Sequence, residues 1–252
     1  MVEDDPFPSW FEALERRHLS TLTFAEVRRS IQTLSSLYVE RRARLRTGSA
    51  LSGSGKCAAF ALYFGPLHFL LIREIVRALG ASIPSGASIV DLGCGTGPAG
   101  AAWAIERKPV AAVTGVDVNT WALEECRWTY RQFGLQGSTK KKDIGGWRIP
   151  ANSAVIAAFT INELGPDERN RFHDEFLKIH ESGAPVLIVE PIARKVTTWW
   201  DEWARDFTSA GGRQDEWRFR AALPERLALM DRAAGLNHRE LTGRSLWLPG
   251  LP

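Results

Sequence analysis

The residues most able to do chemistry lie in one stretch, SIVDLGCGTGPAG, Ser88 to Gly100. An apolar run ending at Val90 meets an acid, Asp91. Glycines then alternate at Gly93, Gly95 and Gly97, and a fourth follows at Gly100. A strand that ends in glycines and opens a helix is built to receive a ligand. Glycine lets the backbone approach closely and take up positive φ, and the helix N-terminus offers unpaired N–H groups and partial positive charge. Two registers fit. In GTGPAG, Gly95, Gly97 and Gly100 make a GxGxxG pattern with Asp117 about twenty residues further on, which is a dinucleotide arrangement. In VDLGCGTG, Asp91 ends the strand and Gly93, Gly95 and Gly97 follow at alternate positions. Charge separates the two. A pyrophosphate is anionic, and an acid at the strand tip repels it. A ligand with cationic groups and no phosphate gains from Asp91, and Asp117 can accept two ribose hydroxyls. The other Gly-Lys segment, GSALSGSGK, is followed by Cys57 and preceded by no strand, so it is not a phosphate loop of the Walker type.

In the second register the segment resembles the first motif of the class I S-adenosylmethionine-dependent methyltransferase family, an acid followed by GxGxG. The resemblance covers Ser82 to Leu248. It implies S-adenosyl-L-methionine as cofactor and S-adenosyl-L-homocysteine as product; the ammonium and sulfonium of the former suit Asp91. It assigns the cofactor loop to Asp91, Gly93, Cys94, Gly95 and Gly97. It places Asp117 and Val118 at the ribose, Asp143 of KKDI near the adenine amino group, and Ile144 against the ring. AAFTINEL, with Thr160, ends the fourth strand, where methyl donor and acceptor meet in this family. TINEL and VEP are also similar to segments of the mitochondrial small-subunit rRNA methyltransferase-like family. That family's cysteine clusters are absent here, where the cysteines are Cys57, Cys94 and Cys126.

Acceptor-side candidates follow from position. Glu163 can orient or deprotonate an acceptor, or cap the next helix. Asn162 and Glu190 stand at the tips of the fourth and fifth strands. TINEL has no proline, which disfavours the base N-methylation that uses a [DNS]-P-P-[YF] motif. Tyr63 and His68, in YFGPLHF, precede the first strand, and the resemblance places that segment over the methionine end of the cofactor. His68 is a candidate general base. Trp199 and Trp200, with Trp203, Phe207 and Trp217, suit either an aromatic lid or helix packing, since Trp199 and Trp203 are i,i+4 neighbours. Arg194 and Lys195 suit an anionic acceptor. His18, His173 and His180 read as surface residues.

The elements that must position these residues alternate from Ser88 onward. Strands are expected at SIVDLG, AVTGVDV, GSTKKKDI, SAVIAAFTINEL and APVLIVEP, with helices between. Such alternation gives a parallel sheet covered on both faces with right-handed crossovers. NHRELTGRSLWLPG reads as two short strands about Thr242-Gly243, an antiparallel hairpin that this family's topology shares. The expected fold class is thus α/β: a Rossmann-like, doubly wound, seven-stranded sheet, mostly parallel with a C-terminal antiparallel hairpin. Residues 1–80 read as a helical extension or cap, and residues 81–252 as the methyltransferase domain.

Composition bounds the rest. The 252 residues are 44% hydrophobic and 24% charged, ordinary for a globular chain with a sizeable core. The net charge of +3 is mild for a nucleic-acid binder, although ERRARLR (Glu40 to Arg46) and Lys140 to Lys142 are local basic clusters. Three scattered cysteines suit a reducing, cytoplasmic setting and no structural zinc. CAAFALYFGPLHFLLI is interrupted by Gly65, Pro66 and His68 and reads as a buried helix pair rather than a membrane span. The leading functional expectation is methyl transfer to a small, aromatic or anionic acceptor. The alternatives are an rRNA or ribosomal-protein acceptor, and a non-catalytic module that binds S-adenosylmethionine.

Overall fold

The computed structural model describes residues 5–40, 53–107, 109, 112–193 and 197–251. Its centre is a seven-stranded sheet in the order β3-β2-β1-β4-β5-β7-β6. The strands are β1 (Ser88–Leu92), β2 (Val113–Asp117), β3 (Gly137–Lys141), β4 (Ser153–Ala158), β5 (Val186–Glu190), β6 (Arg213–Arg220) and β7 (Glu240–Leu248). Neighbouring pairs among β1 to β5 are parallel, and β7 runs antiparallel to β5. The crossover helices are α5 (Pro98–Glu106) after β1, α6 (Thr120–Gln132) after β2 and α7 (Pro166–Glu181) after β4. α8 (Trp200–Ser209) leads from β5 to β6. The chain reverses its order between β1 and β4, and ligands of open α/β sheets bind in the crevice at such a point.

Strand alternation decides which side chains meet which helices. Val90, Leu92, Val155, Ala157, Val186, Ile188, Leu246 and Leu248 share one core cluster with Phe172 and Phe176 of α7 and Trp203 and Phe207 of α8. Residues of opposite parity face the other helices. Trp247 meets Trp103 of α5 edge to face at 5.8 Å, and Asp91 lies beneath the start of the same helix.

Two sequence expectations are corrected in the sheet. Thr242-Gly243 is no turn: Glu240–Leu248 is a single nine-residue strand, and its antiparallel partner is β5. Gly243 lies in this strand at a close approach, since a Cβ there would stand 3.2 Å from the Leu71 side chain. The seventh strand is supplied instead by RQDEWRFR, an outermost strand with one face exposed. The aromatic segment packs as core. Trp199, Trp200, Trp203 and Phe207 are all buried, with Trp203 4.6 Å from Trp199 and 6.1 Å from Phe207, centre to centre. The i,i+4 spacing marks a core face.

Two compact units are distinguished, Met1–His68 with Arg220–Glu240, and Phe69–Phe219 with Leu241–Pro252. Arg220–Glu240, which follows the strands in sequence, thus belongs with the N-terminal helices, and the division falls at His68 rather than at residue 80. The first unit contains α1 (Phe7–His18), α2 (Phe24–Glu40), α3 (Ser54–Ala59), a π-helical turn (Phe60–Phe64) and α9 (Glu225–Ala233). Its core includes Trp10, Leu14, Val27, Ile31 and Leu62. Glu15 of α1 pairs with Arg226 of α9. The expected helix pair is instead one continuous 26-residue helical run, Ser54–Leu79, which comprises α3, the π turn and α4 (Gly65–Leu79). Pro66 does not break it because it follows the π-helical turn Phe60–Phe64, a local widening of the helix that accommodates a residue lacking an N–H. The run is long and apolar enough to cross a membrane, and most of its apolar window is buried within the protein.

If the tryptophans form core, Trp203→Ala costs about 3–5 kcal/mol. Urea unfolding measures this, and a loss below about 1 kcal/mol would return Trp203 to the role of a lid.

Candidate functional site

Gly93, Gly95 and Gly97 follow β1 with φ of 63°, 51° and 84°, values that an L side chain rarely adopts. Packing adds a second demand. A Cβ at Gly93 would lie 2.4 Å from Thr160, and one at Gly97 would lie 2.8 Å from the Cys126 sulfur. Gly100, in the first turn of α5, has no room because Asp91 and Tyr130 lie against it, the former's Oδ2 2.8 Å from where a Cβ would stand. Gly100 is therefore a packing glycine, as the second register requires.

Asp91 is buried, and its Oδ2 accepts the Gly100 N–H at 2.9 Å and the Tyr130 hydroxyl at 3.4 Å. Burial pushes its pKa up to about 7, against the opposing pull of those two bonds. The carboxylate thus holds the start of α5. Asp117, at the tip of β2, accepts the Gly95 N–H on Oδ2 at 3.0 Å and the Asn119 N–H on Oδ1 at 2.8 Å. Burial also raises its pKa, opposed by these N–H groups. A carboxylate has about four acceptor positions, so Asp117 retains capacity for ribose hydroxyls. Val118 beside it is 46% exposed, an apolar surface at the edge of the loop.

Asp143 is exposed, and its Oδ1 caps the short turn Ile144–Gly146 through the Gly145 N–H at 2.8 Å. Ile144 is buried in the core cluster, which leaves little of it for an adenine ring. Cys94 is buried, and its thiol pKa is raised by burial and by a hydrogen bond with Cys126.

The tips of β4 and β5 form a second cluster. The Thr160 hydroxyl donates to the carbonyls of Leu92 and Ala158, both at 3.1 Å, fastening this tip to the glycine loop. Glu190 is fully buried and accepts the backbone N–H of Asn162 at 3.1 Å and its side-chain amide at 2.6 Å. The Asn162 carbonyl oxygen in turn accepts the Trp199 indole N–H at 3.0 Å. Glu190 and Trp199, expected at the acceptor, instead hold Asn162 in place. Trp200, also expected there, is buried with its N–H directed to Gln214 at 3.3 Å. Glu163 is half-buried in the one-turn segment Ile161–Glu163, and the N-terminal cap of α7 comes from Glu168, which accepts the Gly165 N–H at 2.9 Å.

Tyr63 and His68 belong to the first unit. Tyr63 is fully buried, with its hydroxyl 2.5 Å from Asp231 Oδ1 and 3.1 Å from His238 Nδ1. Burial and Asp231 together raise its pKa above the ordinary phenol range. Burial lowers His68 to about 4, so its ring is neutral at pH 7. Asp231 and His238 escaped the sequence reading because they sit in a helix end and a polar loop with no motif. His180, read as surface, is buried between the carbonyls of Pro249 and Ala210, each at 2.9 Å. Arg194, Lys195 and Arg41 to Arg46 lie outside the described residues.

Residues 89–183 match the family described as methyltransferase domain. That segment, less than half of the chain, is similar to methyltransferase domains. The residues present fit S-adenosylmethionine: positive-φ glycines beneath a helix start, a ribose-capable carboxylate with spare acceptor positions, and an exposed apolar residue next to it. A stretch of 69 residues is 43% identical to ribosomal RNA small subunit methyltransferase C of Aeromonas hydrophila. That stretch is 27% of this chain and spans only 20% of the relative's length. Among solved structures, N-methyltransferase NodS of Bradyrhizobium japonicum, in complex with S-adenosyl-L-homocysteine, superposes with a TM-score of 0.49 at 13% identity, covering 73% of this chain and 86% of the other. A SAM-dependent methyltransferase of Aquifex aeolicus gives 0.46 at 16% identity, over 70% and 89%.

Two outcomes test this site. Asp91 holds a proton in the folded state that it loses near pH 4 when unfolded, so its contribution to stability is present below about pH 4 and is lost as pH rises towards 7. Asp91→Asn keeps an acceptor for Gly100 and flattens that decline, which thermal melts of both proteins from pH 4 to 7 measure; equal slopes refute the assignment. Asp117→Ala weakens S-adenosylhomocysteine binding by about 1–3 kcal/mol, read by calorimetry.

Proposed function

We infer that the domain methylates RNA. The observation carrying this reading is the charge at the β3 edge of the sheet. Lys140, Lys141 and Lys142 are all exposed there, and β3 is the outermost strand on that side. Lys141 pairs in register with Asp117, and the Lys142 N–H donates to the Asp117 carbonyl at 3.0 Å. The exposed Arg127 and Arg131 lie on α6, which packs on β3. Lys141 and Lys142 thus lie beside the strand end that carries Asp117, and Lys140, Arg127 and Arg131 continue the positive charge along β3 and α6, a surface suited to a phosphodiester backbone. The 69-residue similarity to an rRNA methyltransferase supports the same reading.

Methyl transfer is an in-line displacement, so positioning carries much of the catalysis. S-adenosylmethionine, when bound, supplies an already activated methyl group. Asp117 holds the ribose, and Asp91 keeps the start of α5 in register with the loop. Asn162, fixed by Glu190 and Trp199, presents the turn in which Glu163 can take a proton from a weak nucleophile.

Single-stranded RNA binding followed by fluorescence anisotropy across a potassium chloride series should show a steep salt dependence. Replacing Lys140, Lys141 and Lys142 together by alanine should flatten the log–log slope by about 2, at roughly 0.7 per phosphate contact. Native protein that fails to bind RNA at low salt, or fails to methylate it with tritiated S-adenosylmethionine, sinks the reading.

A further inference from the structure

Arg244 lies in β7 and is buried. In the antiparallel ladder it stands in register with Glu190, the last residue of β5, which is also buried. Directly opposed residues of such a pair point to the same face of the sheet. Both share the parity of Val186, Ile188, Leu246 and Leu248, so they project into the layer of α7 and α8. There the guanidinium lies over the Trp200 ring, 4.1 Å from its centre, and its Nη2 donates to the Thr197 carbonyl at 3.4 Å. Burying opposite charges is costly, and apolar residues of similar volume are often as good or better for stability. What Arg244 holds therefore matters more than what it adds to the core.

Thr197 precedes the turn into α8. Its hydroxyl is buried with no partner among the described residues, so its side chain does not fasten that turn. Its carbonyl does, accepting the Trp200 N–H at 3.1 Å as well as Arg244. Two residues on, Trp199 gives its indole N–H to the Asn162 carbonyl oxygen. Asn162 in turn donates to Glu190 from both its backbone and its side-chain amide. The contacts close a ring: Arg244 to Thr197, along the turn to Trp199, then Asn162, then Glu190, and across the ladder to Arg244. Every member lies in the second compact unit.

We propose that Arg244 is a positioning residue for methyl transfer. It fixes the turn before α8 and, through Trp199 and Asn162, the segment that carries Glu163. This rests on the reading of that segment as the acceptor end. A planar, forked cation can stack on Trp200 and reach a carbonyl at once, which an apolar side chain cannot. Such a role accounts for a buried charge that the fold itself does not need.

The test uses the full chain carrying Arg244→Met, which keeps an apolar stem without the charge. Hydrogen–deuterium exchange, read by mass spectrometry, compares peptides covering residues 159–164 and 91–100. Exchange in 159–164 should rise about tenfold, while the 91–100 peptide and S-adenosylhomocysteine affinity keep native values. Turnover of single-stranded RNA with tritiated S-adenosylmethionine should show kcat lower on the order of tenfold to a hundredfold at unchanged KM for RNA. Arg244→Lys keeps a cation opposite Glu190 but has no planar fork. It should hold melting temperature closer to native and recover only part of kcat, and it carries the same readouts where the methionine variant fails to fold. Native exchange in 159–164, or native kcat despite faster exchange, overturns the proposal. Faster exchange spread equally over both peptides, with loss of S-adenosylhomocysteine affinity, also overturns it, because the arginine would then only support the fold. Native protein that methylates no RNA sinks the RNA reading alone, and exchange in 159–164 still decides the positioning.

Discussion

The site depends on one loop held between two carboxylates. Gly95 and Gly100 each give a backbone N–H to an acid at a strand end, Asp117 and Asp91 respectively. These bonds fix both the path of the glycines and the start of α5. Because β1 and β2 are neighbours in register, the two acids come to the same end of the sheet without any contact between distant elements. The cost is a buried carboxylate at Asp91, its pKa driven up to about 7 by burial and only partly relieved by Gly100 and Tyr130. The packing around the loop is equally tight: a Cβ at Gly100 would meet Asp91 and Tyr130, one at Gly97 would meet Cys126 and Tyr130, and one at Gly115 would meet Cys126 and Cys94.

The parallel half of the sheet was legible because its strands are short apolar runs bounded by glycine and acid. SIVDL and VLIVE bury nearly every residue, and their flanking helices carry the matching apolar face. β6 was illegible for the opposite reason. RQDEWRFR is an outermost strand with alternate residues exposed, so its composition is that of a charged loop with two aromatics. β7 was split at Thr242-Gly243 because glycine in a strand pattern signals a turn. Only the neighbouring Leu71 side chain reveals that this glycine marks a close approach. Burial sorted the tryptophans. Their number and spacing suited a lid and a core equally, and the parity of β4, β5 and β7 against α7 and α8 decides for core.

At the site, residue type is more informative about the conformation of the glycine loop than about the tips of β4 and β5. The roles of Gly93, Gly97 and Asp117 follow from positive φ and from where a strand ends, both of which a motif encodes. The roles of Glu190, Asn162 and Trp199 do not, because a carboxylate at a strand tip reads the same whether it faces an acceptor or supports a neighbour. Glu190 is fully buried with two N–H donors from Asn162. Removing either partner would leave a buried polar group unpaired, which costs more than the bond itself contributes. The pair therefore acts as one rigid unit.

That rigidity has a consequence for the acceptor. Thr160 ties the tip of β4 to the glycine loop, and Asn162 ties the following turn to β5 and to Trp199. Between these anchors and the β5 ladder the chain must pass Phe159, and a bond on each side leaves its backbone little freedom to relax from φ of 59°. Methyl transfer needs acceptor and donor held at near-contact distance, and a rigid support accomplishes this with less lost entropy than a mobile lid. The acceptor end of the sheet is thus built by fixing backbone first.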